Sequence, residues 1–244
     1  MCGRFALTVT PAEVQALFGY EDLPNFPPRL NIAPTEPIAV VTYENGKRHF
    51  RLMRWGLMPA WVKETENFPT LFNARSETIA TKPAFRSAAR HRRCLIPADW
   101  FYEWAHLGKT KMPYRIMRKD HKVFAMAGLW ETYIHPNGSE IDTATIVTTD
   151  ANGTVSALHN RMPVILDEKD FSTWLDAELN APEKIAHLMA PASDELLMIE
   201  AFDPSTQKRK IRRSSELILV FVSEILIAKA PCLDSFDPQD QSRL

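Results

Sequence analysis

Cys2 stands directly after Met1 and is followed by Gly3 and Arg4. Removal of Met1 would leave this residue with a free amine and a thiol on neighbouring carbons, a 1,2-aminothiol. The amine of such a residue condenses with an aldehyde to an imine, and the thiol then attacks the imine carbon and closes a five-membered thiazolidine. An interior cysteine cannot do this, because its nitrogen is held in a peptide bond. An α-amine and a thiol titrate at about 7.7–8.0 and about 8.5, so both reactive forms are within reach near neutral pH. Position alone does not separate such a nucleophile from an incidental cysteine, and the reading depends on what accompanies it.

Four further segments set polar residues among apolar or aromatic ones: Arg54-Trp55-Gly56-Leu57, Asn73-Ala74-Arg75-Ser76-Glu77, Pro97-Ala98-Asp99-Trp100-Phe101-Tyr102-Glu103-Trp104 and His159-Asn160-Arg161-Met162-Pro163. An unpaired polar group in such surroundings costs roughly 1–3 kcal/mol, so each has a partner or a task. Each also has a plain structural reading. Asn73 would cap a following helix, Glu103 would face solvent from a strand, His159 would be a satisfied core histidine, and Trp55 and Phe101 would fill the core.

The elements that must position these residues are mixed. Thr10-Pro11-Ala12-Glu13 reads as a capping box with proline at the first helical position, opening a short helix to about Phe18. Residues 24–37 are proline-rich and read as an extended loop. Ile38-Ala39-Val40-Val41 and His49-Phe50-Arg51-Leu52 flank Asn45-Gly46 and predict a hairpin. A second hairpin is expected where 123–127 and 144–147 bracket Pro136-Asn137-Gly138, with an open register. Residues 76–92, 167–175 and 182–189 read as helical. No βαβ repeat is visible, so the expected class is α+β, a mainly antiparallel, barrel-like core with short flanking helices. Residues 1–215 are expected to form one domain, with 216–244 a tail of uncertain role.

Composition sets the bounds. A chain of 244 residues, 45% of them hydrophobic, can bury a sizeable core. Its three cysteines, Cys2, Cys94 and Cys232, are widely spaced and form no CxxC pair, which argues against a disulfide framework or a thiolate zinc site. No basic-then-apolar leader is seen, and the apolar run 217–228 falls short of the roughly 20 residues that span a bilayer. A cytoplasmic protein without membrane association is the expectation. The net charge of −1 provides no global field toward nucleic acid, so such binding must come from local patches. Arg86, Arg90, His91, Arg92 and Arg93 form one; Lys208, Arg209, Lys210, Arg212 and Arg213 form the other. No nucleotide or metal motif is present, so no cofactor is expected.

The five segments, in this order from Cys2 to about Leu166, resemble the SRAP family, the SOS response-associated peptidases whose members attach to abasic sites in single-stranded DNA. The resemblance implies that Cys2 is the nucleophile and supplies its aldehyde, the open-chain form of an abasic deoxyribose. It implies that Asn73 holds cysteine and sugar in place, since an amide donates and accepts at once. Glu103, between Tyr102 and Trp104, becomes the general acid or base, because apolar surroundings favour the protonated form of a carboxyl. His159 orients or protonates the sugar oxygens and assists removal of Met1. Arg4, Arg75 and Arg161 become DNA-contacting candidates, and Trp55 a base-stacking one, worth roughly 1–3 kcal/mol if exposed. The implied partner is single-stranded DNA containing abasic sites, bound by a monomer at the nucleoid.

Two features depart from the family pattern. Trp100 stands where glycine is expected and adds bulk near Glu103, and the tail after Ile211 is unlike the family. Two other classes compete. N-terminal-nucleophile glutamine amidohydrolases also begin Met-Cys-Gly, but that reading explains neither Glu103 nor the segment 159–163. A non-covalent single-strand binding module has no need of Cys2, Asn73, Glu103 and His159 together.

Overall fold

The computed structural model describes residues 2–22, 24–107 and 110–202. The first compact unit closes at Phe202. The expected boundary near 215, the basic cluster at 208–213, Cys232 and the tail 216–244 lie outside the described residues.

Thirteen strands are described. In chain order they are β1 (Phe5–Leu7), β2 (Arg29–Ile32), β3 (Pro37–Glu44), β4 (Lys47–Trp55), β5 (Asn73–Arg75), β6 (Arg93–Ala98), β7 (Trp100–Leu107), β8 (Thr110–Arg118), β9 (Phe124–Ile134), β10 (Glu140–Asp150), β11 (Arg161–Pro163), β12 (Ile165–Leu166) and β13 (Leu197–Ala201). The helices are short: α1 (Pro11–Phe18), α2 (Arg86–His91), α3 (Gly153–Ser156) and α4 (Phe171–Leu175). The expected α+β class therefore holds.

One sheet of five strands runs β13-β8-β7-β1-β2. A second, of eight strands, closes on itself: β10 pairs with β4, β4 with β3, β3 with β6, β6 with β9, and β9 again with β10. Closure satisfies the backbone groups that an open edge would leave unpaired. Nearly all pairings are antiparallel; β4 and β5 run parallel to β10.

The hairpin around Asn45-Gly46 forms as expected, with Val41 opposite Phe50. Asn45 (φ 51°) and Gly46 (φ 80°) both take left-handed values, as a two-residue turn between twisted strands requires. The second hairpin also forms, but Ala144 faces Trp130, not the 123–127 run. Residues 124–127 pair instead with β6 and β12. Helix α1 has both halves of its capping box, Thr10 Oγ1 accepting from the Glu13 amide and Glu13 Oε2 from the Thr10 amide.

Two expectations are corrected. The segment 24–37 contains β2, whose backbone bonds go to β1, a partner no local pattern announces. The segment 76–92 is not one helix: Ser76–Thr78 is a 3₁₀ turn and only α2 is α-helical, because Pro83 and the residues before it break the run. The other two helical expectations hold: Glu168–Asp170 is a 3₁₀ turn that leads directly into α4, and Pro182–Met189 is a 3₁₀ helix.

The main core lies between the sheets and inside the closed one, with Phe5, Trp55, Phe101, Leu95 and Trp174 fully buried. Each such side chain contributes roughly 1.5–3 kcal/mol relative to exposure. Strand alternation splits β7: Phe101 belongs to this core, while Trp100 and Tyr102 belong to a second cluster with Ala6 and Met117 on the opposite face. Trp100 lies under the Arg115 guanidinium at 5.5 Å, so its bulk is directed away from the face that carries Phe101 and Glu103. The expected crowding of Glu103 by Trp100 is thereby corrected.

Candidate active site

Cys2 reaches the interior because the chain before β1 continues the pairing with β7. Phe5 faces Phe101 and Ala6 faces Trp100, and the Tyr102 amide donates to the Arg4 carbonyl at 2.9 Å. The next residues toward the N-terminus thus run alongside Glu103. Cys2 is completely buried, its Sγ 3.9 Å from the Arg4 carbonyl oxygen. Burial pushes its thiol well above the ordinary range, and the charge of Glu103 pushes it further the same way.

Asn73 comes from the other sheet. It opens β5, parallel to β10 with Asn73 beside Ile146. Its Nδ2 donates to the Cys2 carbonyl at 2.8 Å. Its Oδ1 is buried without a hydrogen-bond partner among the described residues, an acceptor turned to no protein donor beside Cys2. Glu103 is 5% exposed.

His159 sits in the turn between α3 and β11. Its Nδ1 accepts from the Arg161 amide at 2.9 Å, so in the neutral ring the proton is assigned to Nε2. Asn152 sets this turn by capping α3, its Oδ1 accepting from the Val155 amide at 2.9 Å.

Arg4, Glu103, Trp104, Lys111, Leu158 and His159 line a cavity of about 350 Å³. Cys2 does not line it, but its neighbour Arg4 and its electrostatic partner Glu103 do. Arg4 Nη1 donates to Asn31 Oδ1 on β2 at 3.2 Å, which holds the guanidinium at this opening. A larger cavity of about 680 Å³ lies between α1, the turn before β9 and α4; none of the expected site residues lines it.

The remaining expected residues divide. Arg75 is exposed on β5. Arg161 is 8% exposed and its charge is already answered: Nη1 donates to Glu77 Oε1 (2.7 Å) and Asp150 Oδ1 (2.6 Å), and Nη2 to Glu77 Oε2 (3.0 Å) and the Thr148 carbonyl (2.7 Å). The guanidinium holds the Glu77 carboxyl below its ordinary range. This clamp fastens the end of the Asn73 segment to β10, and the expectation of Arg161 on a DNA-contacting face is corrected: its guanidinium is buried and paired within the protein. Trp55 is corrected as well. It has no exposed face, its Nε1 donates to the Phe72 carbonyl at 2.8 Å, and its ring packs edge-on to Phe5 at 5.1 Å.

Sequence reasoning missed Lys111, which carries no periodic or motif signal, and Asn31, hidden in the proline-rich segment. It also missed Trp61. This ring is 59% exposed and edge-on to Phe68 at 6.1 Å, in the loop that ends at Asn73. Among the described residues no three His, Cys, Asp or Glu side chains converge as metal ligands, and no helix is long and apolar enough to cross a membrane.

A fold that brings the second residue of the chain between two sheets, against an asparagine from one and a glutamate from the other, defines a class. Residues 1–205 match the SOS response associated peptidase (SRAP) family, and the chain belongs to it. Its relatives include the abasic site processing protein YoqW of Bacillus subtilis, 38% identical over 195 residues that cover 78% of this chain and 87% of that one. The abasic site processing protein YedK of Escherichia coli is 31% identical over 189 residues, covering 75% and 83%. A crystal structure of a protein from Bacteroides thetaiotaomicron superposes with a TM-score of 0.77 at 27% identity, covering 85% of this chain and 94% of that one.

Proposed function

We propose that the protein processes abasic sites: after Met1 is removed, Cys2 forms a covalent thiazolidine with the open-chain sugar of an abasic site in single-stranded DNA, shielding the lesion during the response to DNA damage. The observation that carries this reading is the bond from Asn73 Nδ2 to the Cys2 carbonyl, which fixes the aminothiol beside Glu103. The names of the relatives YoqW and YedK support the substrate.

The Cys2 amine adds to the C1′ aldehyde, and the carbinolamine loses water to give an imine. The thiol sulfur then attacks the imine carbon, forming the S–C bond, while the nitrogen gains a proton. A buried thiol beside a carboxylate resists ionisation, since two negative charges would share one unsolvated site. Passing the thiol proton to Glu103 neutralises the carboxylate and leaves the single negative charge on sulfur, which is then the nucleophile. Glu103 then returns the proton to nitrogen. His159, with its proton assigned to Nε2, donates to a sugar oxygen during ring opening. The unpartnered Asn73 Oδ1 accepts from the mature Cys2 amine and aims its lone pair.

The same thiol and acid–base pair also remove Met1, the peptidase step of the proposal. Arg4 and Arg75 contact phosphates, and Trp61 takes the stacking role that Trp55 cannot fill. The protein acts as a monomer on DNA in the cytoplasm. Incubation with single-stranded DNA carrying an abasic site tests the reading. A heat-stable adduct on a denaturing gel, absent with Cys2→Ala, is expected; wild-type protein that yields no adduct contradicts it.

A further inference from the structure

The cavity beside Glu103 carries a cation that the proposed chemistry leaves unused. Lys111 lines it from β8, on the far side of β7 from Arg4. In register Lys111 stands opposite His106, three residues along β7 from Glu103, and it meets Glu103 and Arg4 only as a wall of the same cavity. Arg4 and Lys111 thus enter the cavity from the two strands that border β7, one before β1 and one at the start of β8.

Among the described residues, other cations on and just after β8 have carboxylate partners: Arg115 binds Glu200 at 2.8 Å, Arg118 binds Asp120 at 2.6 Å and Lys119 binds Glu195 at 2.8 Å. Lys111 is exposed and has no such partner among the described residues. Arg4 likewise bonds only a neutral amide, Asn31. The cavity thus brings two cations uncommitted to any acid around one carboxylate, an excess of positive charge suited to a ligand with two anionic groups.

Resting on the reading under Proposed function, we infer that Lys111 is a specificity-determining residue that holds the phosphate on one side of the abasic sugar while Arg4 holds the one on the other. The site is then built for an abasic sugar inside a strand, bearing a phosphate at each hydroxyl, and discriminates against a sugar at a strand end. An ammonium is a point charge without a directional fork, so it tolerates the varied backbone geometry of a single strand.

The test compares Lys111→Gln and Lys111→Arg with wild type on three single-stranded oligonucleotides: an internal abasic site, a terminal one lacking its 3′ phosphate, and a terminal one lacking its 5′ phosphate. Lys111→Gln is expected to raise the half-saturating concentration of the internal-site strand about tenfold and to lower the slope of log affinity against log salt by about 1. Lys111→Arg should restore both. One of the terminal strands should show no such loss, because it lacks the phosphate that Lys111 holds. Equal losses on all three strands, or none on the internal one, overturn the inference. If wild type itself forms no adduct with the internal-site strand, the underlying reading has failed instead.

Discussion

Asn73 Nδ2 lies 2.8 Å from the carbonyl oxygen of Cys2, a hydrogen bond that joins residues 71 positions apart and ties the start of the chain to β5. A carboxylate in place of this amide would turn lone pairs toward a carbonyl that needs a donor. Asn73→Asp is therefore expected to slow single-turnover adduct formation about 10–100-fold, the loss of roughly 1–3 kcal/mol of positioning. A rate within twofold of wild type would remove Asn73 from the site.

Arg161 separates a structural from a DNA-contacting role. Arg161→Met removes a guanidinium that satisfies Glu77, Asp150 and the Thr148 carbonyl. Both carboxylates are substantially exposed, so the screened expectation is a loss of about 2 kcal/mol in denaturant unfolding. Adduct formation would fall because the Asn73 segment loosens, while the salt dependence of DNA binding would hold. Unchanged stability with a shallower salt slope would return Arg161 to the DNA interface.

Two tryptophans six residues apart should behave oppositely. Trp55→Ala empties a fully buried site and is expected to cost about 3–5 kcal/mol of stability. Trp61→Ala, at a ring 59% exposed, should leave the melting temperature in place and weaken single-strand binding by about 1–3 kcal/mol. Thermal melts and a binding titration of both variants check the pair, and the reverse pattern would refute the assignment.

These contrasts mark what the sequence could disclose. Local signals were legible where the partner is also local: the capping box of Thr10 and Glu13, and the Asn45-Gly46 turn between β3 and β4. The resemblance named Cys2, Asn73, Glu103 and His159 as candidates because their order in the chain is itself information. What stayed hidden depends on distant pairing. Nothing near Arg161 announces Glu77, nothing near Trp55 announces Phe5, and β2 exists only because β1 arrives beside it. The alternation along β7, by contrast, was readable from Trp100 to Glu103 and assigns them to opposite faces without any long-range knowledge.

Buried thiols give a pH signature. Burial raises both Cys2 and Cys94, so the folded state keeps protons that the unfolded chain loses above about pH 8.5. The unfolded state then binds fewer protons, and stability, fully present below that pH, declines as pH rises. One thiol contributes about 2 kcal/mol of loss between pH 8 and 10. Cys94→Ala should remove one such share from the alkaline decline measured by urea denaturation at the two pH values. An identical decline in variant and wild type would show that Cys94 ionises freely in the folded protein.

The central claim is that the amine and thiol of Cys2 act together on one carbon, and the intact mass of the isolated adduct tests it most directly. The account predicts the mass of protein without Met1 plus the abasic oligonucleotide minus one water, with no free thiol at Cys2 on alkylation. An adduct that retains Met1, or one whose Cys2 remains alkylatable, would contradict the thiazolidine.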